Sequence, residues 1–189
     1  MKYFILPCFS YKEKNYSLFS FRRQDLSLIK RWRNDQINIL RQDHLLSSNE
    51  QKAYYNNVIK PSFSQQFPKL ILLSFLYDDN CIGYGGFTNI DWSSQRAEIS
   101  FLIDTDRANN EILYRQDFSV FLTLLKRIAF NDLKFNRLFT ETYDIRDKHI
   151  KILEKAGFRK EGVMREHVFI NGEKVDSILH GFLKKYYND

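Results

Sequence analysis

The sequence predicts an α/β or α+β layer fold, in which helices flank a mixed and mostly antiparallel sheet. Two observations indicate this class. Segments 70–77, 81–89 and 96–103 read as consecutive strands separated by polar turns, which is typical of an antiparallel meander. A helical stripe at 118–130 then leads to another strand at 138–143, and a helical connection of this kind makes that pairing parallel.

Length and composition favour one domain over residues 1–189. The chain is 43% apolar and 16% aromatic, which is globular, and it contains no internal repeat. The apolar run Tyr3–Phe9 is interrupted by Pro7, so we expect a first strand there and no signal peptide. Cys8 and Cys81 lack metal-ligand spacing and predict buried free thiols. We therefore expect a cytoplasmic protein without a metal site or a membrane span.

The first third of the chain predicts a strand and two helices. A strand at Tyr16–Phe21 precedes a helix that begins near Asp25, where apolar residues recur at helical spacing. A second helix is expected at Asn49–Val58, with Ser48 or Asn49 as its N-cap and with Pro61 closing it.

Residues 136–162 carry a strand, a short helix and a glycine stop. Apolar and polar side chains alternate over 138–143, and Asp144 or Asp147 can then cap a helix. Gly157 suits the left-handed backbone that ends a helix, and Phe158 leads the chain back into the core.

The run LEKAGFRKEG at 153–162 resembles the C-terminal half of GNAT acyl-CoA transferases, and three earlier segments agree: Ile29–Asp35, Ile82–Phe87 and Ala97–Asp104. The resemblance extends from about Phe19 to Leu183. It is strongest to the branches that acetylate ribosomal proteins and amino sugars.

The resemblance implies acetyl-CoA as acyl donor and a parallel strand pair that splays around it. The thioester would lie against the backbone of one strand, here Ser100, Phe101, Leu102 and Ile103. The diphosphate would sit at a helix N-terminus, where backbone amides attract anions. The expected glycine-rich loop corresponds to 106–118, which contains no glycine. Asn109 and Asn110 could partly stand in for glycine, and Arg107 and Arg115 could meet phosphate directly. On the later helix, Arg146 and His149 stand where the family often has asparagine and serine, and both could still contact the cofactor.

Acetyl transfer to an amine needs a base for the ammonium and an acid for the leaving thiolate. Glu98 matches the strand glutamate that serves as base in relatives, although it could simply pair with Arg96 or a neighbouring cation. Leu153 replaces the tyrosine that many members use as the acid. Tyr143 and His149 are the available donors, and histidine can change its charge near pH 7.

The resemblance also implies that the first helices border the acceptor. Trp32, Arg33, Asn34 and His44 are the candidate contacts, and a packing role is the alternative for Trp32. The net charge of +6 indicates anionic ligands, but no nucleic-acid-binding motif accompanies it. Phosphorylated small molecules therefore fit the charge better than nucleic acid.

These observations predict an N-acetyltransferase that moves the acetyl group of acetyl-CoA to a small-molecule amine, such as a nucleotide-linked amino sugar. A protein N-terminus is an alternative acceptor. A second alternative is a binding module that kept the fold without activity, and a homodimer could form through an exposed edge strand.

Overall fold

The computed structural model describes residues 1–188, and an eight-stranded sheet forms its centre. In spatial order the strands run β1-β2-β3-β4-β5-β6-β8-β7. Within these residues every neighbouring pair is antiparallel except β5 and β6, so the predicted mixed sheet is confirmed. The strands are β1 Ser10–Glu13, β2 Tyr16–Ser20, β3 Ile71–Tyr77, β4 Asn80–Asp91, β5 Arg96–Ile103, β6 Arg137–Tyr143, β7 Arg159–Ile170 and β8 Glu173–Leu183.

Helices lie on the sheet and at its ends. Among residues 1–188, none combines the length and apolar character that crossing a bilayer requires. The α-helices are α1 Leu26–Asp35, α2 Ser48–Tyr54, α3 Lys60–Ser62, α4 Thr105–Asn109, α5 Glu111–Arg127 and α6 Asp147–Lys155. A π-helical segment, Tyr55–Ile59, joins α2 to α3, and another, Ile128–Asp132, extends α5.

Alternate side chains of β5 turn to opposite faces of the sheet. Phe101 packs on one face against Phe118 and Phe121 of α5, with ring centroids 4.6 Å apart in each pair. Ser100 turns to the other face, where it lines a cavity beside α1 and α2. The strand therefore lies between a packed aromatic layer on one face and the cavity beside α1 and α2 on the other.

The predicted second helix, Asn49–Val58, is observed as α2 followed by the π-helical segment and α3, so the helical run ends later than predicted, at Ser62. Ser47 caps it instead of Ser48 or Asn49. The Ser47 hydroxyl accepts a hydrogen bond from the Glu50 amide (3.2 Å), and the Glu50 carboxylate accepts one from the Ser47 amide (2.8 Å). Pro61 does not close the helix as predicted: it lies at the start of α3, where the missing N–H is tolerated because the first amides of a helix have no intrahelical partner.

The expected first strand at Tyr3–Phe9 is wrong. This segment is irregular, and it is anchored by the buried Tyr3 hydroxyl, which donates to the Leu72 carbonyl (3.0 Å) and accepts from the Leu72 amide (2.9 Å). Both cysteines are free, but Cys8 is exposed and Cys81 is only partly buried, so the prediction that both are buried is also wrong.

Gly157 ends α6 as predicted. Its φ is +90°, and the following Phe158 is buried and donates its amide to the Leu153 carbonyl (3.0 Å). A Cβ atom at this position would approach Phe182 Cε2 to 3.0 Å. Both the backbone and the packing therefore favour glycine here.

Replacing Gly157 by alanine should lower the free energy of unfolding by about 1–2 kcal/mol, because a side chain resists the left-handed backbone. Gly162→Ala is the matched control, since its added Cβ meets nothing nearer than 4.0 Å. Urea unfolding of both variants measures the difference. Equal losses in the two variants would contradict the account.

Candidate active site

The candidate residues gather where β5 and β6 separate. These strands pair at three positions, the last of which joins Glu98 to Phe139. Beyond that pair, in the part of the chain that the structure describes, β5 has no strand on its β6 side. A cavity of about 280 Å³, hereafter the cleft, opens there; its lining includes Glu98, Ser100, Phe101, Glu141, Arg146 and His149.

Glu98 is buried in the lining of the cleft, with 6% of its surface exposed. Its carboxylate accepts hydrogen bonds from the Asn89 amide group (2.5 Å) and from Arg41 Nη2 (2.8 Å). Arg96, the partner expected from the sequence, pairs with Asp91 instead, at 3.4 Å. Glu98 is thus held in the cleft by Asn89 and Arg41.

Glu141 lies beside Glu98, on β6. Arg41 Nη2 also donates to its carboxylate (2.7 Å), and His167 Nε2 lies 3.4 Å from it. Neither Arg41 nor Glu141 emerged from the sequence. A charged residue amid the alternating pattern of 138–143 was the available signal for Glu141, whereas Arg41 follows a short 3₁₀ turn and carries no local signal.

His149 lies on the opposite wall of the cleft, and it is neutral. Its ring stacks on Phe118 at 4.1 Å, and Nδ1 is 2.7 Å from the Tyr114 hydroxyl. Arg146 Nη2 donates to the same hydroxyl (3.1 Å) and lies 3.4 Å from Nδ1. Because a guanidinium can only donate, we assign Nδ1 as the acceptor of the Tyr114 O–H and place the ring proton on Nε2.

Burial, followed by the charge of Arg146, holds the pKa of His149 well below its ordinary value. The expectation that this ring changes its charge near pH 7 is therefore wrong. Tyr143 lines a neighbouring cavity with Arg41 and Phe169 and does not line the cleft. Burial raises the pKa of Tyr143, so its hydroxyl stays protonated at neutral pH.

A second cavity, of about 520 Å³, continues from the cleft between the start of α6 and the α4–α5 junction. It shares Ile39, Arg146 and His149 with the cleft, and Asn109 and Lys148 lie at its walls. A long ligand seated along β5 could leave through this outlet.

The sequence suggested a loop at residues 106–118. This prediction is wrong, because α4 and the first half of α5 occupy these residues. Each helix start is closed by its own cap. The Asp104 carboxylate accepts from the amides of residues 106 and 107, and the Asn110 side chain accepts from those of residues 112 and 113. These amides already have partners, so Asn110 serves as a cap here.

Arg107 is committed to the fold. Its guanidinium donates twice to Asp117, at 2.8 Å each, and Asp117 is fully buried and also accepts from the Tyr16 hydroxyl (2.8 Å). Arg115 is exposed on α5 and lines neither the cleft nor the outlet. The predicted contact of Arg107 and Arg115 with phosphate therefore has no support in their positions.

The cleft and the second cavity form one path, and the residues at both of its ends fit an acyl-CoA donor. The capped starts of α4 and α5, which follow β5, do not contribute to this fit. Within the described chain, the β5 backbone beyond Glu98 has no strand partner on the side of the cleft. The Ser100 and Leu102 carbonyls face β4, so Phe101 is the residue of these three whose backbone groups turn to the cleft. The Ile103 carbonyl, on the same side, accepts from Gln36 (2.8 Å). At the outlet, α6 begins without a side-chain cap, and Arg146 and Lys148 supply positive charge. Lys148 pairs there with Glu111 at 3.6 Å.

On the face of α1 and α2, a third cavity of about 410 Å³ adjoins the cleft through Arg33, Thr88 and Ser100. Arg33 donates to the Tyr84 hydroxyl (2.7 Å) and to Gln42 (3.0 Å). The remaining lining is mixed, with aromatic and charged groups; it includes Phe21, His44, Glu50, Tyr54 and Tyr84.

Two of the predicted acceptor contacts have packing roles. Trp32 is 1% exposed and lines none of these cavities. Asn34 holds the segment before α2 through Leu46, whose carbonyl accepts from Nδ2 (3.0 Å) and whose amide donates to Oδ1 (2.8 Å). Arg33 and His44 do line the third cavity, and His44 lies between Asp43 (2.6 Å) and Glu50 (3.0 Å).

Residues 18–179 match the family model described as the acetyltransferase (GNAT) domain. Among curated proteins, the chain is 26% identical over 133 residues to YdaF of Bacillus subtilis (strain 168), which is provisionally named a ribosomal N-acetyltransferase. That alignment covers 69% of this chain and 70% of YdaF. This chain is also 30% identical over 110 residues to the uncharacterized N-acetyltransferase p20 of Bacillus licheniformis, and that alignment covers 58% of each chain.

Solved structures share the fold. Spermidine N-acetyltransferase from Vibrio cholerae, in complex with CoA and spermine, superposes with a TM-score of 0.78 at 20% identity. The match covers 92% of this chain and 98% of that one. A dodecameric structure of the Vibrio cholerae enzyme gives a TM-score of 0.75 at 22% identity, covering 93% and 98% of the two chains.

Arg107→Ala should lower the free energy of unfolding by about 3 kcal/mol, because it leaves the Asp117 carboxylate buried without its cation. Arg115→Ala should leave stability unchanged within about 0.5 kcal/mol, as expected for an exposed side chain. Chemical denaturation of the two variants tests this. A stable Arg107→Ala protein would show that the ion pair does not hold α4 to α5.

The stability of the protein should fall as pH drops below about 6.5, because the unfolded chain then protonates His149 while the folded chain does not. One such histidine lowers the free energy of unfolding by at most about 1.4 kcal/mol for each unit that the pH falls. His149→Gln should flatten this decline in urea unfolding followed across that range. His44→Gln should not flatten it, because hydrogen bonds to Glu50 and Asp43 raise the pKa of that ring. An unchanged slope in His149→Gln would contradict the assignment.

Proposed function

The chain belongs to the GNAT family of acetyltransferases, and from this premise we propose that it acetylates a small, positively charged primary amine. Acetyl-CoA is the acyl donor of the family, and it supplies the acetyl group as an activated thioester. The finer assignment, the charged acceptor, comes from the side chains around the cleft.

The donor would be held along the path described above. The free backbone edge of β5 at Phe101 would bind the acyl end, and Arg146 and Lys148 would face the anionic end. Asn109 lines the same outlet, whereas Asn110 is spent on capping α5. Side chains would thus replace the backbone amides that glycine-rich relatives use.

The position of Glu98 is the observation that carries the proposal. Its carboxylate is buried at the last paired position before the strands part, so an amine in the cleft would reach it directly. Glu98 would take a proton from the ammonium, which frees the nitrogen lone pair for attack on the acyl carbon. The C–N bond forms as the C–S bond breaks. The nitrogen loses its second proton to solvent as the amide forms, and the departing thiolate takes up a proton to become the free thiol.

His149 is our choice for the group that faces the leaving sulfur. Its ring lines the cleft, is neutral, and carries its remaining proton on Nε2, so it can donate a hydrogen bond to a developing thiolate. Tyr143 is less suitable because it lines a neighbouring cavity. No cysteine lines the cleft among the described residues, which is consistent with direct transfer.

A cationic acceptor fits the charges better than the nucleotide-linked amino sugar expected from the sequence. Glu98 and Glu141 line the cleft and Glu50 lines the adjoining cavity, and these carboxylates would repel a diphosphate. The fold is also that of enzymes named for spermidine. The amino sugar remains the second candidate, since Arg33, Tyr54 and Tyr84 could bind a phosphate and stack on rings.

The test is release of free thiol from acetyl-CoA in the presence of a panel of amines. The panel contains a polyamine, a nucleotide-linked amino sugar and a peptide with a free N-terminus. The proposal expects the polyamine to have the highest kcat/KM. Preference for the sugar or the peptide would overturn the acceptor class while leaving acetyl transfer intact.

Glu98→Gln should lower kcat by about a hundredfold or more, because the amide cannot accept the proton. Glu161→Gln is the control, since Glu161 pairs with Arg137 outside the cleft. The rates are divided by the folded fraction, measured by circular dichroism. An unchanged rate in Glu98→Gln would make this carboxylate purely structural.

A further inference from the structure

The guanidinium of Arg41 lies between the two carboxylates of the cleft. Its Nη2 atom alone is 2.8 Å from Glu98 Oε1 and 2.7 Å from Glu141 Oε2. We propose that Arg41 occupies the subsite of the acceptor's ammonium group, and that a cationic amine binds by displacing it. This inference rests on the proposed function and adds a residue that governs which acceptors enter.

The geometry suits an ammonium. An –NH₃⁺ group has three donors, so one nitrogen at the position of Nη2 can contact both Glu98 and Glu141. The Asn89 amide already donates to the other oxygen of Glu98, which fixes the carboxylate with Oε1 toward that position. Contact with Glu98 is also what proton removal from the amine requires.

The charges favour an exchange of one cation for another. The side chains of Glu98 and Glu141 are only 8% and 16% exposed, and carboxylates at such depth need a positive partner. An incoming ammonium keeps the total charge of the cleft constant. A neutral amine in place of Arg41 would remove the cation that lies between the two carboxylates, so the subsite selects amines that are protonated at neutral pH.

The contacts of the Arg41 side chain allow it to move out of the subsite. In residues 1–188, the hydrogen bonds and ion pairs of its guanidinium all go to these two carboxylates, and half of its side chain (51%) is exposed. The neighbouring chain is fixed separately, because Gln42 bonds with Arg33 and Asn34. The side chain can therefore swing toward solvent while its backbone stays in place.

Other groups also contact this subsite, and they are consistent with one alternative role for Arg41. His167 approaches Glu141 from β7, and Tyr143 lies close enough to interact with the Arg41 charge. In that role, Arg41 would remain in place during turnover and position Glu98. Removing the side chain separates the two roles, because one predicts relief of competition and the other predicts loss of order.

The test compares Arg41→Ala with the parent in the presence of guanidinium chloride at concentrations well below those that unfold proteins. If Arg41 competes with the acceptor, the variant should show a KM for the amine about tenfold lower, the change expected from losing one charge-assisted hydrogen bond. Guanidinium should then inhibit the variant competitively against the amine. The parent should be much less sensitive, since its own side chain fills the subsite.

The opposite result would overturn the inference. If Arg41 positions Glu98, the variant should lose kcat, and added guanidinium should restore it. Arg96→Ala is the matched control, because this exposed arginine lies on β5 but, among residues 1–188, pairs only with Asp91 outside the subsite. Arg41→Gln repeats the measurement with a neutral side chain of similar length should the alanine variant be unstable.

A binding measurement without acetyl-CoA separates this inference from the proposed function. Isothermal titration should show guanidinium binding to Arg41→Ala and to Arg41→Gln, but not to the parent or to Arg96→Ala. Equal binding to all four proteins would refute the subsite even if amines are acetylated. Binding confined to the Arg41 variants would support it even if no amine in the panel is a substrate.

Discussion

A strand whose neighbour turns away keeps backbone groups without partners, and β5 is in this position beyond Glu98 on its β6 side. A column of stacked rings accompanies the separation: Phe101 of β5 lies 4.6 Å from Phe118 of α5, and Phe118 lies 4.1 Å from His149 of α6. These rings pack α6 and α5 against β5 on one wall of the gap between the strands. The open backbone edge, the buried carboxylates and the neutral imidazole thus depend on one packing arrangement.

The electrostatics of the cleft differ from those of the whole chain. The sequence carries a net charge of +6, which directed the acceptor prediction toward phosphorylated ligands. Much of that positive charge is paired locally, as in Arg107 with Asp117 and Arg137 with Glu161. The cleft brings Glu98 and Glu141 together instead, so composition describes the surface as a whole and not the site.

The sequence predicts best where the signal is local. The bounds of β5, the helix stop at Gly157 and the place of Glu98 follow from alternation and from one glycine. Long-range contacts decide the rest. Tertiary packing selects the packing alternative for Trp32, and Arg41, which the sequence does not single out, meets carboxylates 57 and 100 residues away. The absence of glycine after β5 is visible in the sequence, but the self-capping by Asp104 and Asn110 is visible only in three dimensions.

That self-capping changes what the acyl donor has to do. A turn with open amides stays mobile until an anion orders it. The entropy lost in this ordering weakens the binding of the anion. Here α4 and α5 satisfy their own first turns, and Arg107 locks them together through Asp117. The protein therefore holds its donor wall rigid before any ligand arrives, and donor binding is expected to resemble the filling of a preformed slot more than the closing of a loop.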